Sequence, residues 1–149
     1  MAVTTTSNIG VKSYLVEGAI EALPQTTQDS FFTVSGLVLI TSIVAGVTTD
    51  IQAQPNSIKL VSNPTIGADV DLCAALEING DAAGTMYSIT GTLTDPLVAT
   101  TSGAFAAQAD GVVVAPGTID VDATASSTGN FQWRINYIPL QAGATIVAA

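Results

Sequence analysis

Residues 131–138 read Phe-Gln-Trp-Arg-Ile-Asn-Tyr-Ile, and this stretch decides the fold. Successive side chains of a β-strand point to opposite faces of the sheet, so Phe131, Trp133, Ile135 and Tyr137 share one face. They form the largest aromatic cluster of the chain, and buried aromatic side chains dominate the packing of a core. We therefore predict a core strand here, with these four residues as structural core.

A second long strand is predicted at residues 37–47, which read Leu-Val-Leu-Ile-Thr-Ser-Ile-Val-Ala-Gly-Val. A run that is apolar on both faces is typical of a central strand covered on each side. Residues 29–34 and 57–62 predict shorter strands, and residues 13–17 alternate weakly. The pattern leaves open whether 37–47 is buried within one subunit or shared at an interface.

Residues 68–78 alternate between apolar residues at the even positions and Asp, Cys, Ala or Glu at the odd ones. This pattern predicts a half-buried strand with one acidic face. Asn79-Gly80 favours a tight turn with two positive-φ positions, which makes residues 85–94 the expected antiparallel partner.

The last third of the chain predicts a strand at 112–114, a turn at 115–117 and a strand at 118–123, with Asp120 and Asp122 facing outward. Residues 16–23 are the only helix candidate. Many short strands separated by Gly, Pro and Asn indicate an all-β fold. We expect a single-domain antiparallel β-sandwich or jelly-roll-like domain over residues 1–149, with residues 1–12 as an extended N-terminal arm.

Charged side chains are scarce: the 149 residues contain 12 acids, no histidine and three basic residues, namely Lys12, Lys59 and Arg134. Without histidine, neither a Ser-His-Asp nor a Cys-His site can be assembled, and a single cysteine, Cys73, with no histidine beside it argues against a zinc site. The net charge of −9 argues against nucleic acid. Residues 31–47 contain Thr and Ser and are too short to span a bilayer. We expect a non-enzymatic protein with no cofactor, metal, nucleic-acid or membrane partner.

Two Asp-x-Asp pairs, Asp69/Asp71 and Asp120/Asp122, each place two carboxylates on one strand face. One interpretation is an ion site within a sheet or between subunits, because Ca²⁺ prefers several oxygen ligands. The interpretation we favour is a solvated outward face that also discourages edge-to-edge pairing of sheets.

Cys73 falls on the outward side of its predicted strand, next to Asp71 in the alternation. A neighbouring negative charge makes a thiol less reactive, so we interpret Cys73 as a small packed residue. Arg134 lies on the polar face of strand 131–138, where it is expected to pair with a carboxylate. A contact with a partner protein is the alternative for Arg134, since Arg is enriched at interfaces.

Residues 129–149 resemble the ending of small virion proteins of tailed bacteriophages, in which a Trp-x-x-x-Tyr-x-Pro-Leu-x-x-Gly-Ala segment closes a β-rich chain. Here that segment runs from Trp133 to Ala144. The rest of the chain is similar only in being small, acidic and rich in Thr, Ala and Gly. The resemblance implies a capsid decoration protein, often a trimer, that binds the outer surface of the major capsid protein shell. It implies a virion location on the capsid exterior and synthesis in the host cytoplasm.

By analogy with such proteins, the N-terminal arm is expected to reach the shell. The residues implied to contact the capsid are Ala2, Val3, Thr4, Thr5, Thr6, Ile9, Val11 and Lys12. Three alternatives stay open: a tail, neck or fibre-associated adhesin-like protein, a small hydrolase that uses two carboxylates, and an exported pilus-like module.

Overall fold

All regular elements in residues 12–149, the part of the chain that this computed structural model describes, are β-strands, and the longer ones are rich in β-branched and aromatic residues. The strands there are β1 (Tyr14–Glu17), β2 (Glu21–Ala22), β3 (Gln28–Ser35), β4 (Val38–Thr49), β5 (Ser57–Pro64), β6 (Val70–Asp71), β7 (Leu76–Glu77), β8 (Met86–Ser88), β9 (Val98–Thr100), β10 (Val112–Val114), β11 (Gly117–Ala123), β12 (Asn130–Pro139) and β13 (Thr145–Ala148). No helix in residues 12–149 is long and apolar enough to cross a membrane.

The strands form two antiparallel sheets that pack together as a β-sandwich, as the sequence predicts. The first sheet has the order β1-β12-β4-β8-β9, with β2 added to β12 and β10 added to β4. The second sheet has the order β13-β3-β11-β5-β6, with β7 added to β5. The apolar side chains between the two sheets belong to one continuous core.

The centre of the first sheet is the pair β4 and β12, in which Trp133 is opposite Ala45 and Ile135 is opposite Ile43. The predicted core residues of β12 are confirmed: Phe131, Trp133, Ile135 and Tyr137 are all buried. Their rings are well placed for aromatic packing, with the Trp133 ring centroid 5.6 Å from that of Phe131 and 6.4 Å from that of Tyr87.

The run 37–47 is a central strand, but it is covered on one face only. Val38, Ile40, Ile43, Ala45 and Val47 are buried in the core. The residues between them face outward and are half-exposed. Leu37, just before β4, is more exposed. A register shift at Asn136/Tyr137 inserts one extra residue into β4 and restores the alternation beyond it. Within residues 12–149 of one chain, the cover expected on the second face of this strand is therefore missing.

The continuous strand predicted at 68–78 is instead two separate strands, β6 and β7, which both pair with β5. Between them the chain turns toward the loop at Asp95–Leu97. The amide of Ala74 donates to the carbonyl of Asp95, and the amide of Leu97 donates to that of Ala74. Contacts with this distant loop override the local alternation.

The hairpin predicted around Asn79-Gly80 is also absent from the described residues. Gly80 has a positive φ of 69°, but Asn79 does not adopt the left-handed conformation that the predicted turn requires. The segment after this turn crosses to the first sheet, where only Met86–Ser88 of the predicted 85–94 strand is regular. This strand, β8, pairs with β4 and β9.

Residues 16–23 contain no helix. The chain there forms the second half of β1 and all of β2, which both pair with β12. Gly18 separates the two strands, and its amide donates to the carbonyl of Trp133. The backbone hydrogen bonds of this segment are thus made to the sheet rather than within a helix.

Candidate functional site

The outer face of the first sheet is almost free of charge, and we call it the neutral face. By strand alternation and register, the residues that lie between the buried ones face outward. In β1, β12, β4 and β8 these are Leu15, Glu17, Gln132, Arg134, Asn136, Ile138, Leu39, Ser42, Val44, Gly46 and Met86. Apart from Glu17 and Arg134, small, amide and aliphatic side chains therefore make up this surface.

The charges of the neutral face cancel each other. The guanidinium Nε of Arg134 is 2.7 Å from Oε2 of Glu17, and its Nη2 donates to the side chain of Gln132. The expected pairing of Arg134 with a carboxylate is thus observed, on the cross-strand neighbour in β1. An exposed pair of this kind contributes little to stability, but it leaves the face electrically neutral.

The outer face of the second sheet carries most of its charge as carboxylates, and we call it the acidic face. The outward residues of β13, β3, β11, β5, β6 and β7 are Thr145, Val147, Gln28, Ser30, Thr33, Thr118, Asp120, Asp122, Lys59, Val61, Asn63, Asp71 and Glu77. Lys59 is the single basic residue among them, and its Nζ is 3.0 Å from Asp71. The face is therefore negative overall.

Asp120 is outward in direction but only 1% exposed, so the prediction that it is solvated was wrong. Its Oδ2 accepts hydrogen bonds from Gln28 Nε2 at 2.9 Å and from Asn63 Nδ2 at 3.2 Å. Burial alone would raise the pKa of this carboxyl. Hydrogen bonding by Gln28, Thr118, Ser30 and Asn63 outweighs burial and holds the pKa below its ordinary value.

The two Asp-x-Asp pairs meet through a single side chain. Gln28 Nε2 also donates to Asp69 Oδ2 at 3.0 Å, so one amide bridges Asp69 and Asp120. Within residues 12–149 no group of three or more acidic, Cys or His side chains is placed to hold a metal ion. Of the four carboxylates, Asp69 and Asp120 accept hydrogen bonds from amide donors, and Asp71 pairs with the ammonium group of Lys59.

Cys73 points into the protein, so its predicted outward position was wrong. It is 1% exposed, and its Sγ accepts a hydrogen bond from the amide of Leu60 at 3.4 Å. Burial raises the pKa of the Cys73 thiol. A buried thiol with a raised pKa is a poor nucleophile, in agreement with a packing role.

The predicted contact residues of the arm, Ala2 to Val11, lie outside the described residues. Lys12 is described and exposed. It lies two residues before β1, next to the end of the sheet at which β4 begins and β12 ends. The arm therefore joins the domain at the rim of the neutral face.

Sequence patterns gave no signal for the part that Gln28 plays, because a single Gln at the start of a strand has no characteristic spacing. The separation of charge between the faces was partly visible, since the acids of 68–78 and 118–123 were expected on outward faces. The arrangement offers one neutral face suited to contact with protein and one acidic face suited to contact with water.

No protein-family model, curated protein or solved structure matches the chain.

Proposed function

We propose that this chain is a non-enzymatic structural protein of a tailed-phage virion, which decorates and stabilises the capsid by binding the outer surface of the major capsid protein shell. The observation that supports the proposal is the separation of charge: the neutral face has one internal ion pair, and the acidic face has several carboxylates and one lysine. Interface cores are depleted in charge, so the neutral face is the better candidate for shell contact.

The acidic face has the complementary property. Facing the medium, it would keep decorated particles soluble and would repel the acidic faces of neighbouring particles. A protein that covers a shell in many copies needs both properties at once, one on each side.

The N-terminal arm is the second proposed contact. Residues 1–11 carry no charged side chain and include Val3, Ile9 and Val11. Such a segment can lie along an apolar groove of a shell protein. A homotrimer is the proposed assembly, because the resemblance of residues 129–149 to phage virion proteins implies one.

Binding to isolated shells tests the proposal. Purified protein is mixed with expanded shells of the encoding phage that lack it, and bound protein is counted after sedimentation. We expect saturable binding of many copies per shell and a higher temperature of shell disruption. A protein that does not bind such shells would contradict the proposal.

The alternative of a tail, neck or fibre-associated virion protein gives a different result in the same system. Such a protein would be present in a few copies per particle and would bind tail or neck components rather than shells. Turnover of a glycan that is lost on amide replacement of one carboxylate pair would instead support a hydrolase.

A further inference from the structure

A groove opens where the edges of the two sheets meet. Its sides are β10, an edge segment of the first sheet, and β6, the edge strand of the second sheet. Val112 and Val113 line one side, Val70 and Leu72 line the other, and Leu93 from the loop between β8 and β9 lies alongside. A second hollow, lined by Ile66 and Pro116, adjoins it and shares Ala115 with it.

The groove is apolar and exposed. None of the described residues that line the two hollows is charged. Val113 is 58% exposed, and Val70, Leu93 and Ile66 are exposed as well. Several large apolar side chains in one place on a surface are typical of a binding site, whereas single ones need no explanation.

The shape of the groove fits a polypeptide better than a small molecule. Its volume of about 160 Å³ is below the roughly 300–1,000 Å³ of small-molecule pockets, and suits one or two aliphatic side chains. Within the described residues, β10 pairs with β4 alone and β6 with β5 alone, so each has an edge without a strand partner. An extended segment can add to such an edge and insert alternate side chains beside it.

We propose that residues 1–11 of the same chain occupy this groove in the free protein. The positions of Val3, Ile9 and Val11 differ by even numbers, so an extended segment would present all three on one side. The segment has no acidic residue and leads into Lys12, whereas Asp69 and Asp71 flank Val70 and Asp110 precedes β10. The uncharged, partly apolar composition of the segment thus matches the uncharged, apolar lining of the groove.

The segment is long enough to reach. Tyr14 pairs with Tyr137, which is paired with Ile40. Ile40 in turn pairs with Val112 in β10. Three strand spacings of roughly 4.8 Å place β1 about 14 Å from β10, and eleven extended residues span about 36 Å.

Exposed apolar side chains also lie along the route. β12 ends and β4 begins at the end of the sandwich where Lys12 lies, and there the amide of Leu140 donates to the carbonyl of Leu37 at 2.9 Å. Both leucines are exposed. A tethered segment is at high effective concentration, so docking within one chain is favoured over docking between chains. The docking proposal does not rest on shell binding, but docking would compete with it, because the segment would leave the groove to contact a shell.

The test compares amide NMR spectra of the full chain and of a chain lacking residues 1–11, and then adds a synthetic peptide of residues 1–12 to the shortened chain. We expect deletion to shift the amides of β10, β6, Ile66 and Leu93, and the peptide to reverse those shifts. Shifts confined to other regions, or none, would overturn the proposal.

Val113→Asp in the shortened chain tests the groove itself, and Val147→Asp is the matched control. Both valines are at exposed edge-strand positions, at 58% and 52% exposure, but Val147 is on the acidic face away from the groove. We expect Val113→Asp to weaken peptide binding by about tenfold or more, because a carboxylate there would lose water against apolar side chains, and Val147→Asp to leave binding unchanged. Equal effects of the two variants would overturn the proposal.

Sedimentation separates docking within one chain from exchange between chains. We expect the full chain and the chain lacking 1–11 to have the same number of subunits. A full-length assembly that dissociates on deletion would mean that the segment lies in a neighbour's groove, and would overturn docking within one chain.

Discussion

The side-chain amide of Gln28 donates a 2.9 Å hydrogen bond to Oδ2 of Asp120, a carboxylate that the surrounding side chains bury on the outer surface of a sheet. The same amide donates to Asp69, and Asn63 of β5 donates to Asp120. This cluster ties the start of β3 to β11, to β5 and to the segment before β6. It makes the acidic face a fixed polar layer as well as a charged surface.

Replacing Asp120 by Asn should destabilise the protein at neutral pH by about 1–3 kcal/mol, because Gln28 and Asn63 would lose a charged acceptor. The folded-state pKa of Asp120 lies below its ordinary value. Its contribution to stability is therefore present above about pH 4, the unfolded-state value, and is lost as the pH falls through the folded-state pKa. Urea unfolding between pH 2 and 7 measures the difference.

Asp122→Asn is the matched control, since it removes one negative charge from the same strand and face. At pH 7, Asp120→Asn should lower the free energy of unfolding more than Asp122→Asn does. Below about pH 4, the free energy of unfolding of Asp120→Asn should approach that of the unchanged protein. The same loss in both variants at every pH would contradict a specific stabilising role of the Gln28–Asp120 pair.

Truncating Trp133 to Ala should lower the free energy of unfolding by about 3–5 kcal/mol, the usual cost of emptying a buried aromatic site. Trp133 is 1% exposed, and its ring packs on Tyr87 and Phe131. Its exposed neighbour provides the control, because Arg134→Ala should cost less than about 1 kcal/mol. Equal melting temperatures for the two variants would show that Trp133 is not part of the core.

Gly91→Ala should destabilise the fold by at least about 2 kcal/mol, because Gly91 has a φ of +92° that an L side chain rarely adopts. A Cβ there would also meet the carbonyl of Asp110, just before β10. Gly103 has open space around it, so Gly103→Ala should change stability by less than about 0.5 kcal/mol. Thermal unfolding measures both effects. An unchanged melting temperature for Gly91→Ala would refute the close approach of Gly91 to Asp110.

Asn136→Asp and Thr33→Asp test which face meets the partner. Each introduces one carboxylate at an exposed strand position, Asn136 on the neutral face and Thr33 on the acidic face. Both variants should fold with unchanged melting temperature. We expect Asn136→Asp to weaken shell binding by about tenfold or more, because a charge at an interface core must lose its water. A greater loss of shell binding from Thr33→Asp would mean that the acidic face contacts the shell.

The elements that the sequence predicts well are those whose pattern and environment agree. In β12, alternation of aromatic and polar residues coincides with one buried and one outward face, so the core set follows directly. Strands β5 and β11 are also predicted, but Val61 and Asp120 are buried there at outward positions. The sandwich architecture follows from such strands, because each has one apolar face to bury.

The errors arise where distant contacts override the local pattern. Residues 68–78 alternate regularly, yet pairing of Ala74 with the loop at 95–97 bends them into two strands and turns Cys73 inward. Asp120 is buried because Gln28 and Asn63 approach from other strands. The groove between β10 and β6 is equally invisible in sequence, because it forms where the edges of two sheets meet.

Electron cryomicroscopy of the complete phage particle tests the central claim most directly. The account predicts density for many copies of this β-sandwich on the outside of the capsid, with the neutral face against the major capsid protein and the acidic face toward the medium. A few copies at the tail or neck, or a shell on which the acidic face is the side in contact, would contradict it.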